Sequence, residues 1–410
     1  MSIYRKIVAL LSAFLLCMPL AAATVQAQSG IPTLAAVTNG SLYLYGNGEP
    51  LLVEGPNIAY YDLTWSADNN RLAYTVYDGT TTRLMLTDAN ASSPVLIAEG
   101  VSYLPVTFTS DGSQIIYTVE DASAITELPN GLPGSTMTVF VRGVDDGSEA
   151  QSVGSFGFGV GCGGGSPFPM DAVYNAEAGF GGSALTFENT PYGILHSTAC
   201  TGIGLALFDL SSGTTTELGS DLSRAQVNRD GRQVLVVRRD SSSVALLDLE
   251  ARQVTDLTSD PLLDQIGWGA DGTPYYSTRT LLAEALPLAP EEAAAFSAYT
   301  GMEAVTFPQY QVSLYQLPGA TAGAGTQVYT GPGWAVGQIF GAANGLYFSL
   351  VPNGEAWVEA ITAGQIDLSA PDGWRQEQRS VAARLMRLNG DGTAAEVASE
   401  IGQAEVRPGG

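Results

Sequence analysis

The stretch Trp65-Ser66-Ala67-Asp68-Asn69-Asn70-Arg71-Leu72-Ala73-Tyr74-Thr75-Val76-Tyr77 decides the fold, because its shape recurs along the chain. An apolar anchor leads into a polar turn with aspartate at the fourth position, and an alternating apolar strand follows. The shape returns as FTSDGSQIIYTVE from Phe108, VNRDGRQVLVVRR from Val227 and WGADGTPYYST from Trp268. Weaker copies start at Leu185 and Phe340. Asp-Gly and Asn-Gly tolerate positive φ and join antiparallel strands tightly, as at Asp111-Gly112, Asp230-Gly231, Asp271-Gly272 and Asn344-Gly345, so each copy predicts a β-hairpin.

Behind each hairpin lies a second period-two segment with its own polar turn, such as RLMLTDANASSPVLIAEG from Arg83 and VALLDLEARQVTDLTS from Val244. Two hairpins make one four-stranded antiparallel unit. The spacings Asp68 to Asp111 and Asp230 to Asp271, 43 and 41 residues, fall in the range of propeller blades. Trp65-Ser66-Ala67-Asp68 and Ser110-Asp111-Gly112 resemble the WD-like repeats of TolB-type β-propellers, which read apolar-Ser-Pro-Asp-Gly before an alternating strand. The resemblance implies an all-β, β-propeller fold. No copy here carries the proline before the aspartate, so the fold alone is carried over.

The hairpin from Ser41 has no partner hairpin in front of it. Thr33 to Val37 can supply one missing strand and Ala404 to Arg407 the other, closing the ring with strands from both termini. That predicts seven four-stranded blades, with six as the alternative if the first hairpin packs outside the ring. Residues 28–410 then form a single domain with insertions near 155–182, 281–310 and 353–380. The loops between a blade's second and third strands, and those between blades, emerge on one face, where all three insertions map. Long loops on a rigid scaffold are where binding tends to reside. In the second insertion, Pro290-Glu291-Glu292 followed by an alanine-rich run to Gly301 predicts a short helix.

Composition narrows the partners. The chain carries 41 Asp plus Glu against 17 Lys plus Arg, a net charge of −24, and its one lysine is Lys6. Nucleic acid is excluded, because its phosphates need a basic face and none is available. With 45% apolar residues the chain buries a core rather than behaving as an acidic tail. Arg5 and Lys6, the apolar run Ile7 to Leu16 and Val25-Gln26-Ala27 read as a secretory signal peptide over residues 1–27. The run is too short to span a bilayer, so a protein that is not membrane-spanning, with an extracytoplasmic location (periplasmic, cell-surface or secreted), is expected. A monomer is the expected state. Export leaves Cys162 and Cys200 as an even pair, which favours a disulfide over two buried thiols.

Catalytic groups are sparse. His196 is the single histidine, and neither Ser166 nor Ser183 lies in a G-x-S-x-G turn. The residues expected to bind are Asp171, Tyr174, Glu177, His196, Trp357 and Trp374, the tryptophans as exposed aromatics for a sugar or peptide. The first functional reading is a non-enzymatic module that binds a protein, peptide or glycan, with no cofactor. The second is a carboxylate- or Ca²⁺-dependent hydrolase or lyase at the channel mouth, using carboxylates such as Asp171, Glu177 and Glu188 or, in the third insertion, Glu355, Glu359 and Asp367.

Overall fold

The computed structural model describes residues 34–406 apart from 128–132, 159–182, 187–191, 198–204, 366–380 and scattered short turn positions. The expected signal peptide lies outside the described residues. β1 (Leu34–Thr38), β2 (Ser41–Tyr45) and β3 (Leu51–Glu54) come first. A four-stranded sheet follows, with β4 (Ala59–Trp65), β5 (Arg71–Tyr77), β6 (Thr82–Asp88) and β7 (Val95–Glu99) in chain order. The next is built from β8 (Thr107–Phe108), β9 (Gln114–Glu127), β10 (Pro133–Gly143) and β11 (Gln151–Phe158). Then come β12 (Ser183–Thr186), β13 (Tyr192–Ser197), β14 (Leu205–Asp209) and β15 (Thr214–Gly219), and β16 (Leu222–Val227), β17 (Gln233–Arg238), β18 (Ser243–Asp248) and β19 (Gln253–Ser259).

The remaining strands, apart from β22 and β23, which pair with each other, belong to one larger sheet together with β1, β2 and β3. β20 (Leu263–Trp268) and β21 (Pro274–Leu281) are separated from β24 (Tyr310–Gln316) and β25 (Thr326–Pro332) by an excursion carrying β22 (Leu286–Pro287), helix α1 (Pro290–Thr300) and β23 (Thr306–Phe307). β26 (Ala335–Ala342) and β27 (Gly345–Val351) are separated from β28 (Ala383–Leu388) and β29 (Ala394–Val406) by an excursion that begins with helix α2 (Gly354–Thr362). The sheet order is β25-β24-β21-β20-β26-β27-β28-β29-β1-β2-β3. β29 is long enough to serve twice. Its first part pairs with β28, and its end pairs antiparallel with β1, from Leu34↔Val406 to Thr38↔Ile401. Chain-end strands thus join in one ladder. Among the described residues every strand pairing is antiparallel except one parallel bridge, Trp268↔Phe340, between β20 and β26.

The repeated aspartate earns its place in the turns. Ser66 Oγ donates to Asp68 Oδ1 at 2.5 Å and accepts from Arg71 N at 3.0 Å, while Asn70 N donates to the same Oδ1 at 3.1 Å. Thr109, Asp111, Ser113 and Gln114 repeat the arrangement. A hydroxyl and a carboxylate two residues apart therefore satisfy the amides that a tight turn leaves open. Asn389-Gly390-Asp391-Gly392 is such a turn as well, with Thr393 N donating to Asp391 Oδ1 at 3.0 Å between β28 and β29.

The core lies between successive sheets. One cluster joins Val37, Leu42 and Leu44 to Leu63, Leu72 and Tyr74, and another joins Leu34 and Tyr45 to Tyr347 and Leu385. Carboxylates reinforce these junctions: Asp62 accepts from Val106 N at 2.7 Å, and the buried Asp264 accepts from Val336 N at 3.1 Å. Between β20 and β26 the backbones meet directly. A Cβ on Gly341 would lie 1.8 Å from Ala270 N, so only glycine permits that approach. Beyond the sheets, β9 and β10 form a hairpin that continues out to Glu127↔Pro133, an arm the repeat pattern did not foretell.

Candidate functional site

Residues 282–309 connect β21 to its neighbour β24, and residues 352–382 connect β27 to its neighbour β28. Both are second-to-third-strand connections, so they emerge at the same end of their sheets. They pack on each other through aromatics. Phe296 of α1 meets Phe307 edge-on at 5.4 Å between ring centroids, Phe307 lies 5.7 Å from Trp334, and Trp334 lies 6.0 Å from Trp357 of α2. Tyr310 closes the group at 4.8 Å from Trp334. All but Tyr310 are buried, which makes this a small core that takes in Ala335, Val351 and Ala383 at the ends of β26, β27 and β28. Gly354 lets the start of α2 sit close, since a Cβ there would lie 2.8 Å from both a Phe307 ring carbon and the Pro308 carbonyl oxygen.

Asn353 locks the two excursions together. It occupies the N-cap position of α2 yet does not cap it with its side chain. Instead its Oδ1 accepts from Tyr310 N at 3.0 Å and its Nδ2 donates to Tyr310 O at 2.8 Å. This two-point clamp imitates one rung of a β-ladder and fixes β24 against the start of α2. Arg279 stacks on the outer side of the Tyr310 ring, 4.8 Å from its centroid.

Between the excursions opens a cleft of about 580 Å³, within the range of small-ligand and peptide-side-chain sites. Its apolar wall comprises Leu282, Leu286, Pro287, Pro332, Leu350 and Pro352. Its polar groups are Glu284, Gln309, Asn353, Glu355 and Arg384. The buried Gln309 donates through Nε2 to Glu355 Oε1 at 2.8 Å and so fixes where that carboxylate stands. Arg384 pairs with Glu396 at 3.7 Å on the outer surface. The cleft thus offers an aliphatic seat with two acidic side chains at its edge. Among the described residues no aromatic ring contributes to its wall.

Of the residues expected to bind, Trp357 is corrected: it is fully buried in the small core, so it holds α2 in place and presents no ring to a ligand. It lies on a helix, where Trp357, Val358 and Ile361 make one buried face, rather than on an open loop. His196 falls on β13, opposite Ala184 on β12 and Leu205 on β14. Asp171, Tyr174, Glu177 and Trp374 lie outside the described residues, as do Cys162 and Cys200. Among the described residues no three or more His, Cys, Asp or Glu side chains gather into a metal site. Of the cleft residues the sequence singled out only Glu355, as one of the carboxylates of the third insertion. Asn353, standing before Gly354-Glu355 and a Trp-Val…Ile spacing, is the local signal of a helix start that would have pointed to this wall.

No protein-family model matches the chain, and no curated protein matches it by sequence. Similar solved structures exist. A putative 6-phosphogluconolactonase from Bacteroides fragilis matches with a TM-score of 0.50 at 11% identity, over 93% of this chain and 98% of that one. TolB from Acinetobacter baumannii matches with a TM-score of 0.41 at 14% identity, over 72% of this chain, which spans only 65% of TolB's length. The Cps50 (Swd1) β-propeller domain of Myceliophteria thermophila matches with a TM-score of 0.44 at 12% identity, over 78% of this chain and 90% of that one. At such identities a structural match speaks to fold and not to activity. Antiparallel four-stranded sheets in succession with cores between them make the fold of this chain propeller-like.

Proposed function

We propose that the protein is an exported ring of seven four-stranded blades that binds a protein or peptide segment at the cleft between its two helical excursions. The ring is supported by the strand order, in which β29, β1, β2 and β3 complete the unit that the chain's first hairpin leaves unfinished. The seven units are then this one, the four separate four-stranded sheets, β20-β21-β24-β25, and β26-β27-β28 with the first part of β29. Export is supported by the basic head and apolar run of residues 4–16; among the described residues no helix is long and apolar enough to cross a membrane.

The single observation that carries the binding reading is the cleft itself: two excursions from adjacent sheets are clamped by Asn353 and filled by a shared aromatic core, yet leave an apolar opening between them. A peptide segment suits the wall, because the described lining is aliphatic with carboxylate and amide groups at its edge, and among the described residues it presents no aromatic platform for a sugar. The test is selection of displayed random peptides on the intact protein, followed by rebinding to Ala356→Trp, which fills the cleft from its α2 side. Enriched peptides are expected to lose binding to the variant while its thermal midpoint stays within a few degrees of the parent. Equal binding to both proteins would sink the reading.

A further inference from the structure

Charge and shape at the cleft specify what kind of segment it suits. The aliphatic seat is formed by Leu286, Leu350, Pro287 and Pro352, and Glu284 and Glu355 stand at its edge, both exposed. Glu355 does not swing freely, since the buried Gln309 anchors one of its oxygens at 2.8 Å. Two positive features share the cleft, and both are already answered. The amino end of α2 carries a partial positive charge, but Glu355 sits in its first turn. Arg384 is paired with Glu396. The local balance is therefore acidic, within a chain whose net charge of −24 repels anions and steers cations over longer range.

We infer that the cleft takes a basic-aliphatic peptide segment, in which a leucine-sized side chain enters the apolar seat and a neighbouring arginine or lysine lies on Glu284 and Glu355. This rests on the cleft being the binding site and adds the chemistry of its occupant. The aliphatic contact supplies most of the affinity, because burying such a side chain is worth more than an exposed ion pair. The carboxylates supply discrimination: a segment with acidic neighbours brings like charges together and is rejected.

Three end-capped, fluorescein-labelled octapeptides test this by fluorescence anisotropy against the intact protein: alternating Leu-Arg, alternating Leu-Gln and alternating Leu-Glu. The Leu-Arg peptide is expected to bind most tightly and the Leu-Glu peptide least. Glu284→Gln with Glu355→Gln should weaken Leu-Arg binding by about three- to tenfold and leave Leu-Gln binding unchanged. A general attraction of cations to an acidic protein is separated by Leu286→Asp. That variant adds negative charge but spoils the seat, so it should weaken Leu-Arg binding on the inferred mechanism and leave or strengthen it on a nonspecific one. If Leu-Gln binds as well as Leu-Arg and Leu286→Asp abolishes both, the cleft stands and the charge inference falls. If no peptide responds to Leu286→Asp, both fall.

Discussion

Thr109 Oγ1 donates to Asp111 Oδ1 at 2.6 Å and Ser113 N does so at 3.0 Å, and these bonds hold the Asp111 carboxyl down at about 2. Asp78, bonded first by the Thr80 hydroxyl, is likewise held at about 2. Asp68, Asp271 and Asp391 are lowered by bonds of the same kind, led by the Ser66 hydroxyl, the Thr273 amide and the Thr393 hydroxyl respectively. A carboxyl whose native pKa lies below its unfolded value near 3.9 stabilises the fold fully above that value, and the contribution fades as pH falls through the native one. Stability should therefore be level with respect to these groups above about pH 5 and decline between about pH 4 and pH 2. Urea midpoints measured across that window test the assignment, and Asp111→Asn should flatten part of the decline; an unchanged slope in the variant would refute it. These turns were legible in the sequence because Asp-Gly imposes its own geometry. The hydroxyl partners were not read: Ser66 and Thr109 stand two residues before their aspartates, and Thr80, Ser113 and Thr393 two residues after theirs.

The two helices teach opposite lessons about elements. α1 announces itself through Pro290, Glu291 and Glu292, cues that act within one turn and need no tertiary partner. α2 lacks a capping side chain, because Asn353 is committed to Tyr310, and its tryptophan suggested an exposed platform instead. The helix is fixed from outside, by the aromatic group around Trp334, and from its end, where Gly364 adopts φ +67° and returns its amide to Ile361 O at 3.0 Å. Removing Trp357 by substitution with alanine should cost about 3–5 kcal/mol, the usual range for a fully buried large aromatic. Because the small core touches the sheets only at the strand ends Ala335, Val351 and Ala383, the loss should appear in hydrogen exchange as early opening of residues 354–362, before the strands exchange. Uniform exchange across α2 and β26 would show instead that the cap and the sheets open as one unit. The cleft was illegible for a related reason: its walls run from Leu282 to Arg384, and only folding brings them together.

For the whole molecule, closure was legible because an unpaired first hairpin demanded strands from elsewhere, and β1 with the end of β29 meets that demand. β1 is flanked on both sides, and Ala36 at its centre has no exposed surface. Proline there removes a donor from a strand that cannot spare one, and the acceptor left unpaired in the buried ladder costs about 1–3 kcal/mol. Ala36→Pro is therefore expected to lower the melting midpoint and split a cooperative transition into two, with the sheets remote from the seam melting last. A single transition at the parental midpoint would show that β1 is dispensable to closure.

The seam also has a mechanical character. Leu34 and Val406 face each other at one end of the β1–β29 ladder, and Thr38 and Ile401 lie at the other. Tension applied between those two outer residues would load the rungs one after another, like a zipper, rather than all at once in shear. The β1–β29 seam would thus open under a modest pull between Leu34 and Val406, and the direction of force, more than its size, would decide whether the ladder survives.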